Sequence, residues 1–167
     1  IRDSPQHQEF DAWNMESVGD LPDDLNGVYL RNTENPLFEP IKRYHPFDGD
    51  AMLHSISFNN GEVQYSNRFV RTDAFLAEQD TKTSLWAGIT EHPSTTIADH
   101  GWGARTLMKD NASTDVVVHG SKALASFYQC GELYQLDPIS LTDKGKASWN
   151  GAFPPEGVSA HPKVDEH

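Results

Sequence analysis

The feature that most constrains the fold is an alternation of apolar and polar residues on both sides of a tight turn. Residues 52–58 and 63–70 both carry it, and a period of two is that of a β-strand with one buried face. The intervening Asn59-Asn60-Gly61 supplies residues that tolerate the positive φ angles of a hairpin turn. The pattern predicts an antiparallel hairpin, and short strands at residues 28–31 and 84–89 would extend it to a four-stranded meander.

A second group of four short strands is predicted after residue 113. The whole group occupies about 40 residues, a length and strand count typical of one blade of a β-propeller. A segment at residues 91–111 separates the two groups and predicts one helical turn at residues 104–110. The predicted strands of the second group are residues 115–119, 122–128, 132–137 and 146–150.

The two groups make the chain all-β and leave two architectures open. Propeller blades bury their faces against neighbouring blades, so two blades and the start of a third would require a longer protein. Two meanders that face each other as a β-sandwich would instead be complete at 167 residues. The residues alone favour the sandwich.

Composition and charge exclude several classes of protein. The chain is 37% hydrophobic over 167 residues, enough to bury the core of one domain without disulfides or structural metals. Its net charge of −12 repels nucleic acids and anionic lipids, so neither is an expected partner. No apolar run reaches the roughly 18 residues that a transmembrane helix needs. Cys130 is the only cysteine, which excludes an internal disulfide and fits a reducing, cytoplasmic setting.

Motifs that build a catalytic site from neighbouring residues are absent. The chain contains eight histidines, but none forms a helical pair four residues apart or a His-x-His strand pair. There is also no nucleophile elbow, no phosphate-binding glycine loop and no dinucleotide-binding glycine motif. A metal site would therefore have to be assembled from distant strands, as happens at the axis of a propeller.

Six segments resemble, in order and at similar spacing, the N-terminal part of the carotenoid cleavage oxygenases, which are iron-dependent enzymes that cleave alkenes. The resemblance implies that residues 1–167 are the N-terminal part of a single seven-bladed β-propeller domain. It also implies a non-haem Fe(II) ion that four histidines hold on the propeller axis. The six segments are residues 21–32, 45–54, 69–72, 112–114, 134–138 and 159–163.

The resemblance gives roles to four residues. His161, at the predicted entry of a β-strand, corresponds to the first of the four iron ligands, and the rest of the protein would supply the other three. Thr114 corresponds to a side chain beside an unfilled coordination position, which makes it a candidate catalytic residue. Phe47 corresponds to an aromatic residue near the substrate tunnel. Gln129 lies where many members have Glu and stilbene-cleaving members tend to carry Lys, so it is a candidate for both catalysis and substrate binding.

The implied activity is that of an Fe(II)-dependent dioxygenase. Such an enzyme uses O2 to cleave a conjugated C=C bond of a carotenoid, an apocarotenoid or a stilbene into two carbonyl products. Neutral imidazole ligands suit Fe(II) because they preserve its charge and leave positions open for O2. By itself the chain is expected to be inactive, since it carries one ligand of four. The alternative is a non-enzymatic propeller or sandwich that binds partner proteins through its loops.

Overall fold

Two four-stranded antiparallel β-sheets contain most of the regular secondary structure. The computed structural model describes residues 8–13, 15–103, 107–128, 131–154 and 157–165. Three short 3₁₀ helices lie in the connections, at Pro46–Asp48, Pro93–Thr95 and Trp149–Gly151. The predicted all-β class is correct for this part of the chain, where one α-helix and the three 3₁₀ helices are the only other regular elements.

The first sheet contains the predicted hairpin. Its strands are β1 (Asp11–Ala12), β2 (Gly27–Asn35), β3 (Asp50–Asn59) and β4 (Glu62–Phe69), paired in the order β1-β4-β3-β2. The turn between β3 and β4 has φ angles of 49° at Asn60 and 82° at Gly61. Asn and Gly tolerate this left-handed conformation, so the turn residues fix the register that the alternation predicts.

The second sheet follows the sequence order of its strands. It consists of β5 (Asp115–His119), β6 (Lys122–Ser126), β7 (Tyr134–Leu136) and β8 (Asp143–Lys146). Gly120 and Ser121 join β5 to β6 with φ angles of 55° and 60°, the positive values of a tight hairpin turn. This meander matches the predicted second group in strand number and connectivity.

The one α-helix among the described residues, α1 (Asp73–Thr81), lies between the two sheets in the chain. The hydroxyl of Thr72 accepts a hydrogen bond of 2.9 Å from the backbone N–H of Phe75 and so caps the helix N-terminus. Lys82 ends the helix in the left-handed conformation, with φ at 59°. Phe75 and Glu78 are buried on one side of the helix, and Glu78 takes part in an ionic cluster described below.

The main core lies between the two sheets. Ala51 and Leu53 of β3 face Ala123, Ala125 and Leu136 of the second sheet, and all five are fully buried. The small alanine side chains let the sheets approach closely, while burial of a leucine side chain contributes about 1.5–3 kcal/mol.

Strands β2 and β5 are also in contact. The side-chain amide of Asn32 donates to the carbonyl oxygens of Ala112 at 2.8 Å and Asp115 at 3.0 Å. The contact fixes the start of β5 against the first sheet.

Two predictions are wrong, one about the edge strand of the first sheet and one about the segment between the two sheets. Residues 84–89 are not a strand, and β1 occupies the edge of β4 through the pairs Asp11–Ser66 and Ala12–Tyr65. In the predicted helical turn at residues 104–110, the described part from residue 107 is not helical. Met108 instead forms an isolated β-bridge with Trp102.

Two predictions near the end of the chain are also wrong. The last strand of the second sheet is Asp143–Lys146 rather than residues 146–150, and Trp149–Gly151 is a 3₁₀ helix. The strand predicted to begin at His161 is not present in residues 157–165, where Val158 forms an isolated bridge with Gly131 and His161 lies in a bend. The segment is held by this bridge and by the contact of His161 with Asp115, and not by a strand ladder.

Candidate functional site

An apolar cavity at the start of β5 brings together two of the four predicted site residues. The cavity has a volume of about 300 Å³, at the lower end of the range for small-molecule sites. Phe47, Ile89 and Thr114 reach it from three separate segments, before β3, after α1 and before β5. The remaining lining residues are Glu34, Ser113, Phe127 and Tyr128.

Phe47 is held by a short 3₁₀ turn. Pro46 begins the turn, and Nδ1 of His45 accepts a hydrogen bond of 3.2 Å from the backbone N–H of Phe47. Next to it, the carboxylate of Asp48 accepts a bond of 2.8 Å from the backbone N–H of Ile89, which joins two walls of the cavity. The Phe47 side chain is 56% exposed. It is therefore not part of the core, and its apolar surface is available to a ligand.

Thr114 is fixed through both its backbone and its hydroxyl. Its N–H donates to the carbonyl oxygen of Ser126 at 2.9 Å, and its hydroxyl accepts from the N–H of Tyr128 at 3.0 Å. Since the hydroxyl is engaged by the backbone of the neighbouring strand segment, the methyl group is the part of the side chain left to line the cavity. Thr114 thus presents an apolar, rotationally fixed surface.

The loop before Thr114 is anchored by a buried carboxyl group. Asp110 is fully buried and accepts hydrogen bonds from the N–H groups of Ala112 at 3.2 Å and Glu132 at 2.7 Å. Burial raises the pKa of Asp110 to about 7, although the two N–H donors act in the opposite direction. A Cβ atom at Gly131 would collide with this carboxyl group. The loop before Thr114 is therefore anchored by a carboxyl group whose pKa is raised by burial.

His161 lies beside the start of β5, where it contacts Asp115. Nδ1 of the His161 ring is 2.9 Å from Oδ2 of Asp115, and the histidine side chain is 64% exposed. Asp115 follows Thr114 directly, and consecutive Cα atoms are about 3.8 Å apart. The structure therefore places His161 next to a cavity residue, although 46 positions separate it from Asp115 in the chain.

A buried ionic cluster lies behind the apolar cavity. Nζ of Lys109 is 2.6 Å from a carboxylate oxygen of Asp50 and 2.6 Å from one of Glu78. Burial alone would lower the pKa of Lys109, but the two carboxylates outweigh it and raise the pKa. Burial also raises the pKa of Glu78, which Lys109 partly offsets. The cluster joins α1 to β3 and to the loop before β5.

Two aromatic residues separate the ionic cluster from the apolar cavity. Phe127 and Tyr128 have ring centroids 4.7 Å apart in an edge-on arrangement. Both line the 300 Å³ cavity and also a small internal space of about 40 Å³ that borders Asp50, Glu78 and Lys109. The aromatic pair therefore forms a wall that the two spaces share.

The other predicted functional features lie outside this arrangement. Gln129 falls outside the described residues, so its predicted role stays a prediction. Within the described ranges, no three His, Cys, Asp or Glu side chains are grouped closely enough to hold a metal ion. His161 is the one predicted ligand there, and only its Nδ1 atom has a partner. Across the same ranges, the chain has no helix long and apolar enough to cross a bilayer.

Asp115 and Tyr128 are among the site residues that sequence reasoning did not identify. Asp115 contacts His161 only through the tertiary structure, because no local spacing connects the two. Tyr128 directly precedes Gln129 in the chain. The only signal for Tyr128 in the sequence was therefore that its neighbour Gln129 was a candidate site residue.

Comparison with known proteins places this arrangement in a family. The family model described as retinal pigment epithelial membrane protein matches residues 3–167. Isoeugenol monooxygenase of Pseudomonas nitroreducens is 33% identical over 96% of the chain and 32% of its own length. Apocarotenoid-15,15'-oxygenase of Synechocystis is 32% identical over 96% of the chain and 33% of its own length.

A solved structure supports the same fold. The crystal structure of Pseudomonas brassicacearum lignostilbene dioxygenase superposes with a TM-score of 0.79 at 24% identity, over 96% of this chain and 32% of that one. The fold of this chain is thus shared with the N-terminal third of that structure. The chain belongs to the retinal pigment epithelial membrane protein family, whose matched relatives include carotenoid cleavage oxygenases. It spans about a third of the length of the curated relatives it matches.

Proposed function

We propose that this chain is the N-terminal part of an Fe(II)-dependent dioxygenase that cleaves a conjugated C=C bond into two carbonyl products. The observation that carries the proposal is the apolar cavity in which Phe47 and Thr114 meet, one residue away from the Asp115–His161 contact. An apolar binding surface beside a candidate iron ligand is what the reaction requires. The cytoplasmic setting expected from the single cysteine is part of the proposal.

The proposed domain is a seven-bladed β-propeller, of which residues 1–167 form the first part. Each sheet is a four-stranded antiparallel meander, and β2 and β5 make contact through Asn32. In a propeller, the first strands of adjacent blades approach each other near the axis. The β2–β5 contact supports this arrangement, and it would place the start of β5 near the axis.

The donor chemistry at His161 fits Fe(II). Metal-binding histidines usually direct their second ring nitrogen to a carboxylate or a carbonyl group, and Nδ1 of His161 faces Asp115. Nε2 would then bind the ion together with three histidines from the rest of the protein. When bound, the iron supplies the activation of O2 that an alkene cleavage needs. Thr114 would limit access to the ion with its methyl group, and Phe47 would pack against the substrate.

The substrate class follows from the cavity and from the relatives. Aromatic and aliphatic side chains provide most of the cavity wall, which suits a flat conjugated molecule. The relatives named above act on isoeugenol and on apocarotenoids. We propose a phenylpropenoid, stilbene or apocarotenoid substrate, with O2 as the second substrate.

The proposal is tested on the full-length protein loaded anaerobically with Fe(II). Isoeugenol, a 4-hydroxystilbene and an apocarotenal are each incubated with it under ¹⁸O₂, and products are identified by mass spectrometry. Cleavage of at least one compound to labelled carbonyl products, with iron near one equivalent, is expected. Folded, iron-loaded protein that cleaves none of the three would overturn the proposal.

Variants of two exposed histidines sharpen this test. His161→Ala is expected to lose iron and activity together. His119→Ala is the matched control, because His119 lies at the opposite end of β5 and is also exposed. Retention of iron by His161→Ala would show that His161 is not a ligand.

Gln129 is proposed to influence substrate choice. Its amide can hydrogen-bond to a hydroxyl group but cannot stabilise a phenolate by charge, whereas a lysine ammonium can. Gln129→Lys is therefore expected to shift preference toward 4-hydroxystilbenes. The measurement is the ratio of kcat/KM values on a 4-hydroxystilbene and an apocarotenal, and an unchanged ratio would place Gln129 outside the substrate site.

A further inference from the structure

The carboxylate of Asp115 has a separate partner for each of its oxygens. Oδ1 accepts a hydrogen bond of 2.8 Å from the N–H of Val116, and Oδ2 lies 2.9 Å from Nδ1 of His161. Because the next residue of its own strand holds Oδ1, the orientation of the carboxylate does not depend on His161. The bond to Val116 therefore sets the position of Oδ2, whether or not His161 is in contact with it.

The backbone of Asp115 is held from two sides. It pairs with Ser126 in the β5–β6 ladder, and its carbonyl oxygen accepts a hydrogen bond from the Asn32 side chain of the first sheet. Groups supported by paired strands keep their geometry better than groups on loops. His161, by contrast, lies in a bend outside any strand.

The conformation of His161 is unusual for its sequence. Its φ angle is +59°, in the left-handed region, and Pro162 follows it. Non-glycine residues enter this region at a cost, and the residue before a proline favours extended backbone. Such strained residues persist where surrounding contacts hold them, and they concentrate at functional sites. The Asp115 contact adds little to the stability of the fold, because ion pairs this exposed are weak.

Elementary hydrogen-bond chemistry then decides which ring nitrogen is free. An ionised carboxylate only accepts hydrogen bonds, and a neutral imidazole carries one N–H. The contact with Oδ2 selects the tautomer with its proton on Nδ1, which leaves the lone pair on Nε2. We propose that Asp115 is the positioning residue for His161, holding the Nδ1–H tautomer and aiming Nε2 at the iron. This inference rests on the proposed function.

The test compares Fe(II) affinity among variants of the full-length protein. Apo-protein is titrated with Fe(II) anaerobically against a competing chelator, so that the measurement is a Kd and not an activity. Asp115→Ala is expected to weaken Fe(II) binding by about 10- to 100-fold, the usual effect of removing such a partner. Asp115→Asn keeps an oxygen acceptor of the same shape. Its Fe(II) affinity is therefore expected to fall clearly less than that of Asp115→Ala.

The matched control is Asp143→Ala. Asp143 is likewise the first residue of a strand in the second sheet, although it is more exposed than Asp115, and this variant is expected to bind iron like the wild type. Melting temperatures within a few degrees of the wild type identify variants that remain folded, and Asp115→Asn provides the comparison should Asp115→Ala unfold.

The outcomes separate this inference from the proposed function. Unchanged Fe(II) affinity in Asp115→Ala, while His161→Ala loses iron, would overturn the role of Asp115 and leave the oxygenase proposal standing. Fe(II) binding by Asp115→Asn that is no tighter than binding by Asp115→Ala would also overturn the role of Asp115 and leave the oxygenase proposal standing. If His161→Ala itself keeps iron, the ligand assignment fails before Asp115 is considered.

Discussion

Two lysines in this protein each lie between two carboxylates, and they differ in burial. Lys109 has a 12% exposed side chain and contacts Asp50 and Glu78, both at 2.6 Å. Lys146 is 42% exposed and lies 2.8 Å from Asp73 and 3.8 Å from Glu132.

The two lysine sites differ in how far solvent reaches their charges. Buried charges cannot be rescued by water when a partner is lost, whereas exposed charges are solvated and screened. The same set of charges should therefore be essential to the fold at Lys109 and dispensable at Lys146.

The largest expected effect follows replacement of the buried lysine. Lys109→Met keeps the volume of the side chain but leaves Asp50 and Glu78 buried without a cation, which should destabilise the fold by about 3–5 kcal/mol. Calorimetric or denaturant unfolding of the full-length variant measures this. A loss below 1 kcal/mol would show that water reaches the cluster and would remove the contrast with Lys146.

Asp110 provides a pH-dependent test of how strongly burial penalises a charge. It is buried with only backbone N–H partners in the described structure. Its pKa is about 7 in the folded protein and near 3.8 in an unfolded chain. The folded state therefore binds an extra proton between these values, and stability should fall as pH rises from about 4 to about 7. Each pH unit within that window is worth at most about 1.4 kcal/mol.

Asp110→Asn isolates this contribution, since an amide does not ionise. The free energy of unfolding of wild type and variant is measured at several pH values between 4 and 8, and the difference between the two curves is compared. A difference that grows in favour of Asp110→Asn with rising pH is expected. Parallel curves would mean that Asp110 is ionised throughout this range.

Phe47 tests whether exposed residues at the cavity serve binding rather than stability. Phe47→Ala should raise KM about 10-fold, about 1.4 kcal/mol, through lost apolar contact with the substrate, with little change in melting temperature. Tyr44→Ala is a suitable control, because Tyr44 is similarly exposed and does not line the 300 Å³ cavity. Equal effects of the two substitutions on KM would place the substrate elsewhere.

The smallest effect is expected at the exposed lysine. Lys146→Met should change stability by less than about 1 kcal/mol, and added salt should reduce even that difference. Thermal melting at low and high ionic strength measures both. A loss as large as that of Lys109→Met would show that burial does not set the strength of these ion pairs.

The sequence was sufficient for the elements with a clear local pattern. The β3–β4 hairpin lies where the period-two alternation and the turn residues Asn60 and Gly61 place it, and the β5–β6 hairpin lies where the spacing of the second group places it. The helix α1 was missed, although Thr72 as N-cap was a readable signal. The short apolar segment at residues 84–89 was mistaken for a strand, because β-propensity alone does not say which segment pairs with an edge.

The sequence by itself determined the all-β class and most strand positions, and its resemblance to a known family supplied the candidates Phe47, Thr114 and His161. Only the tertiary structure decided that β1 pairs with β4, that Phe47 and Thr114 share one cavity, and that His161 meets Asp115. The physical reason is the range of the interactions. Alternation, turns and caps act over a few residues, whereas an edge pairing or a side-chain contact joins positions that only the packed sheets bring together.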